Sequence, residues 1–234
     1  MCIAGGKITD IKTGQSGQQS PADCAPRTVR QFAAHTHLFF EGDDKLHLFV
    51  ITSGWVKLYR TLIDGQRQVV GFANAGSILG LESDHGQANG CEAITPVTAY
   101  IIPVRSVSDL CRRDGAFAEQ LLRQVGRQLG AAQAQLASVG AQSADQKLAT
   151  FLVSIADLCG ARVGGEFDLP MRRGDMAEFL GLRLETVSRK MSEFQRRGWI
   201  RMASLYHCRI VRADLLKELA LGGDMEDLGM VHAA

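Results

Sequence analysis

The sequence predicts an α+β chain in three parts: a β-roll, a long helix with one narrow apolar seam, and a C-terminal winged helix-turn-helix. Three observations predict it. From Gln31 to Val104, short runs rich in β-branched, aromatic and Leu residues alternate with glycine-containing turns. Between Phe117 and Gly140 apolar residues recur in steps of 3, 4, 3, 4 and 3. Beyond Arg172, two short amphipathic segments meet at Gly181 inside a cluster of basic residues.

The chain has 234 residues, 46% of them apolar and 22% charged, as expected of a globular protein with room for two cores. Its net charge of +1 gives no global sign of a polyanionic partner, so any such partner must be read from local clustering. The start, MCIAGGKITDIKTG, lacks a secretory apolar core, and no apolar run reaches membrane-spanning length. A cytoplasmic protein without a membrane partner is expected. The six cysteines (Cys2, Cys24, Cys91, Cys111, Cys159 and Cys208) are scattered with no C-x-x-C pair, which reads as free thiols rather than a cluster site.

Taken in order, residues 1–26 are rich in Gly, Ser and Gln and read as a flexible N-terminal arm. Residues 27–112 hold the roll, with HLFFEGDD, HLFVITSGWVKLYRTLIDGQ, QVVGFANAGSILG and AITPVTAYIIP as its strand runs. The Asp64-Gly65 pair suits a tight hairpin turn, because both residues accept positive φ. Residues 113–140 are expected to form a parallel dimerisation helix. Its seam is Leu122, Val125, Leu129, Ala132, Leu136 and Val139, flanked mainly by Gln, Arg, Ala and Gly. The alternative for this helix is a core element packed on the roll. Gly126 and Ala132 would let two backbones approach closely.

Ser143-Ala-Asp-Gln146 has the form of a capping box and should restart a helix after Gly140. That helix, with Leu148, Phe151, Leu152, Ile155, Ala156 and Leu158 as its core face, should stop at Gly160. It opens a domain of residues 141–220, followed by a tail of residues 221–234.

After the turn-like ARVGGEFDLP, Met176, Phe179 and Leu180 form one apolar face, and Leu184, Val187, Met191 and Phe194 another. Gly181-Leu182 joins them as a tight left-handed turn, giving helix-turn-helix spacing. Between Arg172 and Arg212 ten basic residues face four acids, a local excess of six positive charges in an otherwise neutral chain. Bordering two helices of this geometry, the excess points to phosphate contact, with Arg172, Arg173, Arg183, Lys190, Arg196 and Arg197 as candidates. Two β-prone runs, Trp199–Met202 and His207–Val211, suggest a wing that adds backbone contacts.

Within a recognition helix from Leu182 to Arg197, Glu185, Ser188 and Arg189 fall at i, i+3 and i+4 and share one face. Arg can bind guanine O6 and N7 bidentately, Glu can accept from the cytosine amino group, and Ser can meet base or phosphate. An acid on a DNA-facing surface works against phosphate attraction, so base readout explains Glu185 better than electrostatics does.

Together these residues resemble the CRP/FNR family of bacterial transcription regulators, over Gln31 to about Leu219. The resemblance runs through LFFEGD at Leu38–Asp43, SGWVKLY at Ser53–Tyr59, GFANAGSILG at Gly71–Gly80 and the long helix. Its most specific piece is RGDMAEFLGLRLETVSR, Arg173–Arg189, which is similar to R-x-D-I-x-x-Y-L-G-L-T-x-E-T-V-S-R of the FNR and FixK branch. The resemblance implies a cyclic-nucleotide-binding-like roll, a homodimer, contact with RNA polymerase, and readout of a TTGAT-type half-site within a palindrome. Base-reading roles fall by resemblance on Glu185, Ser188 and Arg189, with Leu184 as a neighbouring contact. Two departures set further expectations. Only Cys2 and Cys24 precede the roll, and Tyr100 aligns with the roll's iron–sulfur ligand, so no cluster is expected. No arginine lies between Arg67 and Arg105 to meet a cyclic-nucleotide phosphate beside Gly80-Leu81-Glu82-Ser83, so no cyclic nucleotide is expected either. What remains resembles the FixK type, without a cofactor and serving low-oxygen, nitrogen-oxide or nitrogen-fixation genes.

Two other readings follow from particular residues. His35-Thr-His37 with Glu41 gives H-x-H-x-x-x-E on a predicted roll, the half-site of a cupin-like metalloenzyme, for which His47 and His85 are the remaining histidines of the roll. A ligand- or haem-sensing member of the same family is the other. No Ser/His/Asp or Cys/His arrangement for nucleophilic catalysis stands out. Cys208, in the predicted wing beside Arg201 and Arg209, is a candidate redox thiol if those cations lower its pKa.

Overall fold

The computed structural model describes residues 2–4, 28–82, 86–138, 142–161, 164–204 and 206–225. Two compact units emerge. One holds the described residues of 2–66 and 70–132, the other those of 133–225 with Arg67–Val69. The N-terminal arm beyond Cys2–Ala4, Cys24, His85, Val139 and the tail after Met225 lie outside the described residues.

The first unit is built from β1 (Cys2–Ala4), β2 (Thr28–Phe32), β3 (His37–Phe39), β4 (His47–Ser53), β5 (Val56–Thr61), all but the first three residues of β6 (Arg67–Ala73), β7 (Ile78–Leu79), β8 (Gly90–Ala93), β9 (Val97–Pro103) and two helices. The strands form a five-stranded sheet ordered β1-β6-β5-β8-β3 and a four-stranded sheet ordered β2-β9-β4-β7. A turn forms at the expected place, but Asp64 does not take the positive φ expected of it; Gly65 does, at 80°, and its N–H donates to the Leu62 carbonyl at 2.9 Å. Strand β4 explains why HLFVI reads as an unbroken apolar run. Phe49 and Ile51 enter one core with Phe39, Leu58 and Leu79, while Leu48 and Val50 enter a second with Ile78 and Ile102. Both faces of β4 are covered, so the alternation of a half-exposed strand disappears.

Helix α1 (Val104–Arg113) and helix α2 (Gly115–Ser138) close the second of these cores. The sequence shows a helical period from Val107 without marking α1 off from α2; α1 joins β9 without a loop and ends at Asp114, whose carboxylate accepts from the Phe117 N–H at 3.0 Å. Helix α2 also corrects the expectation that little besides its seam needs burial. Phe117 and Leu121 pack on Leu110 and Ile102, and Gln124 follows them into the interior, so this helix has a roll-facing side. Turned by one residue, the seam lies on another side: Leu122, Val125 and Leu129 are 73%, 46% and 58% exposed. Ala132 and Leu136 lie farther along the same helix.

The second unit contains α3 (Ala144–Leu158), β10 (Glu166–Asp168), α4 (Arg173–Leu180), α5 (Leu184–Arg196), β11 (Ile200–Met202), β12 (His207–Ile210) and α6 (Ala213–Ala220). The capping box forms as expected: the Ser143 hydroxyl accepts from the Gln146 N–H at 3.3 Å, and the Gln146 side chain accepts from the Ser143 N–H at 2.9 Å. The core face of α3 is buried except at Leu158, which is half-buried, and Gly160 ends the helix at φ 60°. The wing has three strands, ordered β10-β12-β11. The segment read as a turn supplies β10, whose Phe167 is its one inward apolar residue. No described helix is long and apolar enough to cross a membrane.

Candidate nucleic-acid interface

Arg172 is the N-cap of helix α4, with its N–H donating to the Asp175 carboxylate at 3.1 Å, and the helix buries Met176, Ala177, Phe179 and Leu180. Gly181 takes φ 63°, ψ 40°, and the next N–H, of Leu182, returns to the Ala177 carbonyl at 3.0 Å. This left-handed cap turns the chain sharply into α5, as the glycine's position in the sequence predicts.

Helix α5 is anchored by Val187, Met191 and Phe194, all buried, with Phe194 also against Trp199 at 5.4 Å between ring centroids. Three apolar residues at this spacing fix which side faces out. Glu185, Ser188 and Arg189 are exposed together, and Ser192 and Arg196 extend the same face along the helix. Ser192 escaped the sequence reading, although its i+4 relation to Ser188 was the available signal; its hydroxyl donates to the Ser188 carbonyl at 3.0 Å. Leu184 was expected on the apolar face and also as a neighbour of the readers. It is 48% exposed at the first helical position, so the second placement describes it. At 13 residues, α5 is about 20 Å long, and a major groove about 12 Å wide accepts such a helix.

The six basic residues expected at phosphates divide into distinct environments. Arg183 and Arg196 are exposed, as is Arg172. Arg183 is the N-cap of α5 and makes no side-chain cap hydrogen bond. Arg173 is half-buried with Nη1 3.2 Å from the Met176 sulfur, and burial pulls its pKa down while Cys208 acts in the opposite direction. Lys190 and Arg197 have intramolecular partners. The Lys190 ammonium lies 2.8 Å from Asp145 and 3.3 Å from Glu193. Burial opposes its charge, yet those two carboxylates hold its pKa above the usual lysine value. Arg197 pairs with Glu193 at 3.3 Å, donates to the Met225 carbonyl at 3.3 Å and lies 5.6 Å over the Trp199 ring.

The wing adds two cations. Arg201 and Arg209 are direct cross-strand partners and both are exposed. Like charges directly opposite each other destabilise a sheet, and an anion laid across them would remove that cost. Between them in sequence, Cys208 points the other way, into the core. Burial pushes its thiol up to about 12, with Arg173 the opposing influence. The expectation that Arg201 and Arg209 would lower the Cys208 pKa is therefore corrected, because strand alternation turns both cations to the opposite face.

In the first unit, Glu41 does not converge with the two histidines; it accepts from the Thr61 N–H at 2.8 Å. His35 and His37 each lie 3.8 Å from Glu92, which also has Lys57 at 3.6 Å. Among the described residues no three His, Cys, Asp or Glu side chains are grouped to hold a metal ion.

Comparison with known proteins follows the same division. Residues 29–114 match a cyclic nucleotide-binding domain, and residues 146–219 match a Crp-like helix-turn-helix domain. The nitrogen fixation regulation protein FixK of Rhizobium meliloti (strain 1021) is 33% identical over 195 residues, covering 83% of this chain and 88% of that protein. The fumarate and nitrate reduction regulatory protein of Escherichia coli (strain K12) is 29% identical over 188 residues, covering 78% and 74%. Among solved structures, FixK2 from Bradyrhizobium japonicum matches with a TM-score of 0.76 at 26% identity, over 85% of this chain and 99% of that one.

Proposed function

Because the chain belongs to the CRP/FNR family of transcription regulators, in its FixK branch, we propose that it binds a TTGAT-N4-ATCAA-type palindrome as a homodimer. The observation that carries this reading is the joint exposure of Glu185, Ser188 and Arg189 on the face of α5 opposite its buried anchors. Arg189 reads guanine through O6 and N7, Glu185 accepts from the cytosine amino group, Ser188 meets base or phosphate, and Leu184 meets a thymine methyl.

Phosphates are held by Arg172, Arg173, Arg183 and Arg196, joined by Arg201 and Arg209 of the wing. Arg183 supports this assignment by being poorly placed for anything else. A cation at a helix N-terminus opposes the helix dipole, and an arginine there supplies no cap. DNA phosphate compensates both.

Two copies pair along α2 through Leu122, Val125 and Leu129, with Ala132, Leu136 and Val139 continuing the spacing. Exposed apolar residues at a and d spacing favour a parallel two-stranded contact. Twofold pairing presents two recognition helices to the two half-sites.

The protein works in the cytoplasm without a cyclic nucleotide or an iron–sulfur cluster. The absence of any arginine between Arg67 and Arg105, and Tyr100 at the roll's cluster-ligand position, support that reading. The names of its relatives point to nitrogen fixation, electron transport and the reduction of fumarate and nitrate, and the family resemblance adds low-oxygen control of genes transcribed through contact with RNA polymerase. DNase I footprinting on a fragment carrying the palindrome tests the reading. A protected window centred on the palindrome is expected, and uniform cleavage there would refute it.

A further inference from the structure

Lys190 sits in the recognition helix beside Arg189, yet its side chain is only 19% exposed and is directed at acids. Asp145, in the first turn of α3, is 2.8 Å away and 45 residues distant in sequence. Glu193, one turn on in α5, accepts from Lys190 at 3.3 Å and from Arg197 at 3.3 Å. Arg197 in turn reaches the Met225 carbonyl and covers Trp199, whose ring packs on the buried Phe194. Two cations and two carboxylates thus form a neutral network whose side chains are 16–31% exposed. It lies off the face that exposes Glu185, Ser188 and Arg189.

The geometry points to Lys190 as a positioning residue for base readout, with Asp145 as its anchor: the pair fixes the rotation of α5 against the start of α3 so that Arg189 and Glu185 meet the base edges. The inference rests on the proposed DNA reading and assigns Lys190 a role different from phosphate contact. Three apolar anchors fix which side of α5 is inward, but apolar packing is non-directional. A charged hydrogen bond to a neighbouring helix has direction, and it sits one residue from the principal reader. Asp145 itself is held in place by the capping box that surrounds it, since Ser143 and Gln146 lock the first turn of α3. One oxygen of Asp145 accepts from Lys190 and the other is buried without a hydrogen bond, so the carboxylate depends on this lysine.

A phosphate-binding cation and a positioning cation leave different signatures in salt. Removing one cation from a phosphate lowers the slope of log K against log salt by about 0.9. Removing a positioning cation leaves the slope alone and reduces discrimination between sequences. The experiment titrates the full-length parent, Lys190→Met, Lys190→Arg and Asp145→Asn against the palindromic duplex and a scrambled one at several salt concentrations. Circular dichroism melts confirm that each variant is folded.

Expected for Lys190→Met is an unchanged salt slope and a drop of about tenfold in selectivity, comparable to one mismatched base pair. Asp145→Asn should show the same drop, although it removes no cation, and Lys190→Arg should restore most of the selectivity. A slope lowered by about 0.9 per subunit with selectivity intact would make Lys190 a phosphate ligand and overturn the inference. Unchanged slope and unchanged selectivity would overturn it as well. If Lys190→Met does not fold, Asp145→Asn decides: weaker selectivity supports positioning, and equal or tighter binding to both duplexes contradicts it. A parent that fails to discriminate sinks the DNA reading and this inference together, whereas a selective parent with indifferent variants sinks the inference alone.

Discussion

Arg183 shows how a single side chain can oppose stability in favour of contact. Replacing it with Ser supplies the missing cap of α5 and removes a cation from the positive end of the helix dipole. Arg183→Ser should therefore stabilise the second unit by about 1 kcal/mol in a thermal or urea melt, while lowering the salt slope of DNA binding. A variant that is both less stable and unaltered in slope would remove Arg183 from the interface. Arg189→Ala should cost about 1–3 kcal/mol on the palindrome and relax preference at one guanine; equal losses on palindromic and random duplexes would contradict its reading role. Cys208 is the opposite case, a residue whose neighbours in sequence mislead. With its thiol buried and pushed up to about 12, it should resist a thiol reagent at pH 8 in the native protein, and Cys208→Ser should be as peroxide-sensitive in DNA binding as the parent. Rapid labelling of Cys208 in folded protein would show that the wing opens.

At the scale of elements, helix α2 separates two requirements that one apolar pattern had merged. Phe117 and Leu121 hold it to the roll, and the exposed Leu122, Val125 and Leu129 remain for a second copy. Leu129→Gln should weaken dimerisation by roughly 1.5–3 kcal/mol, the value of burying one leucine, and operator binding should fall with it. Sedimentation equilibrium reads the first and anisotropy the second; an unaffected dimer would move the interface elsewhere. The helices of the second unit were legible in the sequence because their signals are local: buried residues at helical spacing, a glycine where the backbone turns left-handed between α4 and α5, and a capping box four residues long at the start of α3. Strand β10 was not, because three residues with one inward side chain give no period to detect. The helical period was legible from Val107, but not the break at Asp114 that separates α1 from α2. The Asp145–Lys190 pair was invisible for another reason. Nothing in a linear reading joins two residues on different helices, and charge counting placed Lys190 among the phosphate ligands.

For the molecule as a whole, a near-neutral chain concentrates its positive charge between Arg172 and Arg212, where ten basic residues face four acids, so charge distribution matters more than net charge. Stability should show this in its pH dependence. Asp214 is held at about 2, first by its hydrogen bond from Arg212. Burial works to raise Glu193, but Lys190 and Arg197 hold it below the usual carboxylate value. Both folded-state values are depressed, so their stabilisation is present above the unfolded values near 3.8 and 4.5 and is lost as pH falls through the folded ones. The melting temperature should decline from about pH 4.5 downward, and part of that decline should vanish in Glu193→Gln. A flat profile across that window would contradict the network.

The central claim is selective reading of a palindrome by the exposed face of α5 without an added effector. Its most direct test is a fluorescence-anisotropy titration of the aerobically purified protein, free of added metal and nucleotide, against TTGAT-N4-ATCAA and scrambled duplexes. Binding to the palindrome at least about a thousandfold tighter than to the scramble is the predicted result. Equal affinity for the two duplexes would contradict it.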